Sequence, residues 1–135
     1  MGTPGKHAIF NGDLIDARDA SLPIQDRELQ YGFGAYESLR VIQGIIVYPV
    51  DHIDRLFYSA AGIELRHQFS HAQVLEWLYR LIEADQITEA VVRILLMGGM
   101  DARLFITTSA PLEYPDSFYR EGIKSISYEG ERLFP

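Results

Sequence analysis

Apolar and polar residues alternate or recur along the chain in patterns that mark most of its elements. His7 to Phe10 and Asp13 to Asp16 are short and partly apolar, and they flank Asn11-Gly12. Asn-Gly between two such runs predicts a β-hairpin, because both turn positions need positive φ. Tyr36 to Ile42 reads as a strand. Tyr36, Ser38, Arg40 and Ile42 share one face, and Glu37, Leu39 and Val41 share the other. Gln43-Gly44 turns the chain into a strand from Ile45 to Tyr48, which Pro49 stops.

Two helical periods follow. Ile53, Leu56, Phe57, Ala60 and Ala61 keep the spacing of one buried stripe, with Asp51 as N-cap and Gly62 as stop. Val74, Leu75, Leu78, Leu81 and Ile82 form a second stripe. It starts at a capping-box pattern, Ser70 with Gln73, carries the outward pair Glu76 and Arg80, and ends near Asp85. Ala90 to Met97 predicts a well-buried strand interrupted by Arg93. Ala102 to Thr108 predicts a strand after Gly98-Gly99. Asp116 to Glu121 fits one helical turn, and Ile123 to Tyr128 a last strand. Hairpins before and after two main helices indicate an α+β fold with a mostly antiparallel sheet.

Composition sets the class. The 135 residues fit one domain, 1–135, and 47% of them are apolar, as in an ordinary soluble globular protein. The net charge of -7 and the scattered basic residues argue against a nucleic-acid surface. There is no cysteine, so disulfides and thiolate metal sites are excluded, and a cytoplasmic location is expected. His7, His52, His67 and His71 show no metal-ligand spacing. No apolar run is long enough to span a membrane, and the segment from Met1 to Lys6 is too short and polar for a signal peptide. Neither a P-loop, a dinucleotide fingerprint nor a serine nucleophile elbow is present.

The candidate chemistry concentrates between Asp26 and Arg55. Arg55 near a helix start places a guanidinium beside first-turn N–H groups, a setting that favours phosphate; the alternative is a surface arginine paired with Asp51 or Asp54. Tyr36 and Arg40 share a strand face with Ser38 and would bind a carboxylate if that face lines a pocket, or else lie on an open sheet face. Arg93 inside an apolar run needs a partner, either a ligand carboxylate or a structural acid. Tyr31 before Gly32 is a ligand-bonding hydroxyl or a core tyrosine. Asp26-Arg27 reads as a local turn pair.

This combination resembles a known family, the fold-type IV (class IV) pyridoxal-phosphate aminotransferases, which include branched-chain and D-amino-acid aminotransferases and aminodeoxychorismate lyase. The matching residues are Asn11-Gly12, D-R…Y-G-F-G-A-Y-E-S-L-R over Asp26 to Arg40, H-I-D-R-L over His52 to Leu56, and V-R-I over Val92 to Ile94. The resemblance is collinear over nearly the whole chain. It implies that Arg55 grips the cofactor phosphate, that Tyr31, Tyr36 and Arg40 line the substrate side, and that Arg93 lies near the substrate carboxylate. It also implies amino-acid and keto-acid substrates and a homodimer.

The family's reaction needs a Schiff-base lysine. This chain has only Lys6 and Lys124, and neither matches the family's position. Glu131 to Pro135 resembles the approach to the family's interdomain linker. The expectation is therefore the small N-terminal domain of a larger enzyme, without turnover and with weak or absent cofactor binding on its own. The turn after the Arg93 strand departs from the family as Gly98-Gly99-Met100-Asp101. Two alternatives stay open: a lyase-like relative, and a non-catalytic binding or dimerisation module on the same scaffold.

Overall fold

The computed structural model describes residues 5–131; residues 1–4 and 132–135, among them most of the stretch matched to the linker approach, lie outside the described residues. Six strands form one sheet in the order β2-β1-β6-β5-β3-β4. They are β1 (His7–Phe10), β2 (Asp13–Asp16), β3 (Gly34–Ile42), β4 (Ile45–Ile46), β5 (Glu89–Met97) and β6 (Arg103–Ser109). Every pairing is antiparallel. The helices are α1 (Arg27–Tyr31), α2 (Pro49–Gly62), α3 (His71–Ala84) and α4 (Asp116–Glu121). The α+β expectation with two main helices holds.

Local chemistry explains the joints. Asn11 and Gly12 both take positive φ, 49° and 96°, and close the β1–β2 hairpin. At Gly12 an added Cβ would also meet the Trp77 ring at 2.6 Å, so glycine is needed twice over. Gln43 and Gly44 close β3 to β4 in the same way. The capping box of α3 is complete: Ser70 Oγ accepts from Gln73 N–H, and the Gln73 side chain accepts from Ser70 N–H.

The sheet has two unlike sides. Ile9, Leu39, Val41, Val92, Ile94, Leu96, Leu104 and Ile106 point to one side and are buried beneath α2 and α3, which add Ile53, Leu56, Val74, Leu78 and Leu81. Burying these apolar side chains is the main stabilising term. The other side carries Tyr36, Ser38, Arg40 and Arg93, all exposed. Part of it is covered by the segment around Ala20 to Leu22 and by Leu29.

Several expectations are corrected. Asp51 does not cap α2: the helix begins at Pro49, whose fixed φ suits a first helical position, behind Tyr48 in a left-handed conformation without a side-chain cap bond. Ala61 is exposed at the margin of the α2 stripe. β4 is only two residues long. α1 is an additional helix, capped by Asp26 and ended by Gly32 at φ 64°. Ile123 to Tyr128 forms no strand and pairs with no edge of the sheet; Ile126 and Tyr128 are 96% and 91% exposed. Arg93 is not buried, because β5 alternates and its odd positions near the centre face the open side.

Candidate functional site

On the helix side of β3 one polar residue sits among the apolar ones. Glu37 is 5% exposed and points between Ala35 and Leu39 towards α2. Such a carboxylate needs hydrogen-bonding partners. It has two. Arg55 donates from Nε to Oε1 at 2.6 Å and from Nη2 to Oε2 at 2.5 Å. His52 Nδ1 lies 2.8 Å from Oε2. Positions 52 and 55 are one turn apart on α2 and face the same carboxylate.

The electrostatics follow the geometry. The Arg55 guanidinium is the main cause that holds Glu37 below the ordinary glutamate value of 4.5; burial opposes it and His52 assists. The same carboxylate pushes Arg55 above its usual range. Glu37 takes the Nε–Nη2 edge of the guanidinium. No hydrogen bond reaches Nη1 among the described residues, and the Arg55 side chain is 64% exposed. One edge of the fork is thus locked inward and the other faces outward.

This changes the sequence-based picture of Arg55. It lies six residues into α2, about 9 Å from the helix start, and so not beside the first-turn N–H groups. Its partner is Glu37, neither Asp51 nor Asp54; Asp54 Oδ1 instead lies 3.0 Å from His71 Nε2.

Tyr36, Ser38 and Arg93 meet on the opposite side of the sheet. Ser38 and Arg93 are register partners, the Arg93 Nε lies 3.4 Å from Ser38 Oγ, and its Cζ sits 5.6 Å from the Tyr36 ring centroid. Arg93 also borders a hollow of about 310 Å³ walled by Leu22, Leu29, Leu95, Phe105 and Thr107. An arginine at the rim of an apolar hollow suits a ligand with a carboxylate and an apolar body. Arg40, further along β3, pairs loosely with Glu89 at 3.5 Å.

Tyr31 is not a core tyrosine. It is 78% exposed on α1, beneath Arg27 at 5.7 Å, and lines a separate open hollow with Glu28, Phe33 and Ile63. Asp26 is not a turn partner of Arg27. It caps α1 through Leu29 N–H at 2.9 Å and binds Arg103 at 2.5 and 3.1 Å, which lowers its pKa to about 2, Arg103 being the largest cause. That pair ties α1 to β6.

The sequence-predicted residues therefore fall into three places: Arg55 on the helix side of β3, Tyr36, Arg40 and Arg93 on its open side, and Tyr31 beyond its start. β4 pairs only with Val41 and Ile42, so residues 34–39 of β3 have no strand on their outer edge among the described residues. Both sides of β3 can be reached around that edge. Sequence reasoning overlooked Glu37 and His52. The available signal was the alternation of β3, which puts an acid on the apolar face with Leu39 and Val41. No group of three side chains suited to a metal ion occurs among the described residues.

Comparison with known proteins supplies the family. No family model matches the chain. The chain is 31% identical over 115 residues to the D-alanine aminotransferase of Listeria monocytogenes serotype 1/2a (strain 10403S), covering 85% of this chain and 38% of that protein. It is 28% identical over 134 residues to the D-alanine aminotransferase of Bacillus licheniformis, covering 92% of this chain and 47% of that one. Among solved structures, the Escherichia coli branched-chain amino acid aminotransferase matches with TM-score 0.76 and 20% identity, over 82% of this chain and 41% of the other. The branched-chain amino acid aminotransferase of Thermobaculum terrenum in its PLP form matches with TM-score 0.70 and 17% identity, over 81% and 41%. The chain spans less than half the length of these relatives. By sequence over most of its length and by fold, this chain is a relative of the fold-type IV aminotransferases, with the architecture of their N-terminal domain.

Proposed function

We propose that the chain is the N-terminal domain of a pyridoxal-phosphate-dependent amino-acid aminotransferase. Arg55 would hold the cofactor phosphate, and Tyr31, Tyr36, Arg40 and Arg93 would serve the substrate side. The observation that carries this reading is the outward edge of the Arg55 guanidinium: it is exposed, it keeps donors that Glu37 does not use, and it is backed by a buried carboxylate. A phosphate monoester fits that donor set.

When bound, pyridoxal phosphate supplies an electron sink for moving an amino group between an amino acid and a keto acid. The residues of this chain would do three things. Arg55 anchors the anionic end of the cofactor. Arg93, held against Tyr36 and Ser38, offers its guanidinium to a carboxylate at the hollow lined by Leu95 and Phe105. Those apolar walls would exclude water from the substrate's side chain. The lysine that bonds the cofactor is assigned to the remainder of a longer polypeptide, and the 135-residue chain alone is expected to be inactive. A cytoplasmic homodimer belongs to the same reading; exposed Ile42, Ile45, Tyr48 and Val50 around β4 offer an apolar strip for self-association.

The test has two parts. Mixed with pyridoxal phosphate, the chain should show weak binding that Arg55→Ala abolishes, without a lysine-bound absorbance band. Transamination of D-alanine or branched-chain amino acids should appear only when the lysine-bearing region is joined to it. Turnover by this chain alone, or phosphate binding indifferent to Arg55→Ala, would sink the proposal.

A further inference from the structure

We infer that Glu37 is a positioning residue for phosphate recognition: it fixes the plane of the Arg55 guanidinium so that the opposite edge is presented to the anion. The inference rests on the reading of Arg55 given above and adds a role for a residue that does not itself touch the ligand.

The geometry is specific. Glu37 is 5% exposed and immobilised in β3, which is paired to β5 over its whole length. It engages Arg55 through two near-parallel bonds, at Nε and Nη2. Two such bonds fix both the position and the plane of the fork, whereas one would leave it free to swivel. His52 binds Oε2 at 2.8 Å and holds the carboxylate from a second direction. What remains of Arg55 is the end-on edge at Nη1, which meets no hydrogen-bond partner among the described residues, and Nη2, which besides Glu37 has only a long 3.4 Å approach to His52 Nδ1. An unrestrained arginine loses rotamer entropy when it grips a ligand. Here the fold has already imposed that ordering.

A plain counter-ion makes the opposite prediction. A carboxylate one guanidinium away from the phosphate repels it. If Glu37 acted through charge alone, its removal would strengthen phosphate binding. If it acts by positioning, its removal weakens binding despite the loss of a negative charge. The sign of the effect separates the two.

The experiment titrates inorganic phosphate, and then pyridoxal phosphate, into the 135-residue chain while following the Arg55 Nε–H resonance by NMR. Wild type should show a discrete, slowly exchanging resonance that moves with millimolar phosphate. Glu37→Gln should weaken binding about tenfold, the equivalent of one charge-assisted hydrogen bond, and collapse the resonance into the solvent-averaged envelope. Glu37→Asp keeps the charge but is one methylene too short to engage both nitrogens. It should also weaken binding, by a smaller factor, and it covers the case in which the glutamine variant does not fold. Binding unchanged or tightened in the folded variants overturns the positioning role and leaves the phosphate reading intact. A wild-type Arg55 resonance that ignores phosphate overturns both.

Discussion

The two sides of strand β3 put neighbouring residues in opposite circumstances. On the side covered by α2, Glu37 is buried and both its oxygens are bonded within 2.8 Å. On the other side, Arg40 and Arg93 are exposed and hold their nearest polar partners at 3.5 and 3.4 Å. Burial makes the difference. A charge facing a hydrophobic layer must be satisfied completely, so its geometry is rigid; a charge facing solvent is satisfied by water and stays adaptable. A fixed, fully paired polar cluster and a yielding, solvent-facing one are thus obtained from one strand by its two-residue alternation.

The largest effect expected across this contrast is on stability. Leu39→Ala on the covered side should lower it by about 3 kcal/mol, and Ser38→Ala beside it should change it by less than about 0.5 kcal/mol, as read from urea unfolding. Equal losses would show that both sides pack alike.

Acid titration comes next. Because the folded pKa of Glu37 lies below 4.5, its pairing stabilises the fold fully above that value and the contribution is lost as pH falls below it. The stability gap between wild type and Arg55→Ala should therefore narrow as urea midpoints are taken from about pH 5.5 to about pH 3. A gap that stays constant would deny that Arg55 acts through Glu37 ionisation.

On the open side the expected losses are small. Arg93→Ala should cost about 0.5 kcal/mol through its stacking on Tyr36, while reducing the binding of amphipathic carboxylates at the neighbouring hollow, measurable by calorimetry. Arg40→Ala should cost about 0.3 kcal/mol, since its pair with Glu89 is long and exposed. A loss above about 2 kcal/mol for either would mean that this side is as rigid as the other.

Elements governed by near neighbours are legible in the sequence. The turns at Asn11-Gly12 and Gln43-Gly44, the capping box of α3 and the alternation of β3 each depend on a few consecutive residues, and each is read with its correct chemistry. The failures have long-range causes. α1 is five residues long, too short to be stable alone, and is held by the Asp26–Arg103 pair across 77 positions of sequence. Ile123 to Tyr128 has a strand's composition, but a strand exists only when another edge pairs with it. The apolar run around Arg93 reads as buried on both sides because nothing local reveals which sheet face is left uncovered.

The sequence by itself determined the α+β pattern, the two amphipathic helices and a stretch from Asp26 to Arg55 that resembles a phosphate-cofactor family. Only the tertiary structure decided that Arg55 belongs to Glu37 and that Tyr36 and Arg93 lie on the far side of the same strand. The reason is physical: periodicity assigns a residue to a face, whereas its partner and its burial depend on which helix the completed sheet lays against that face.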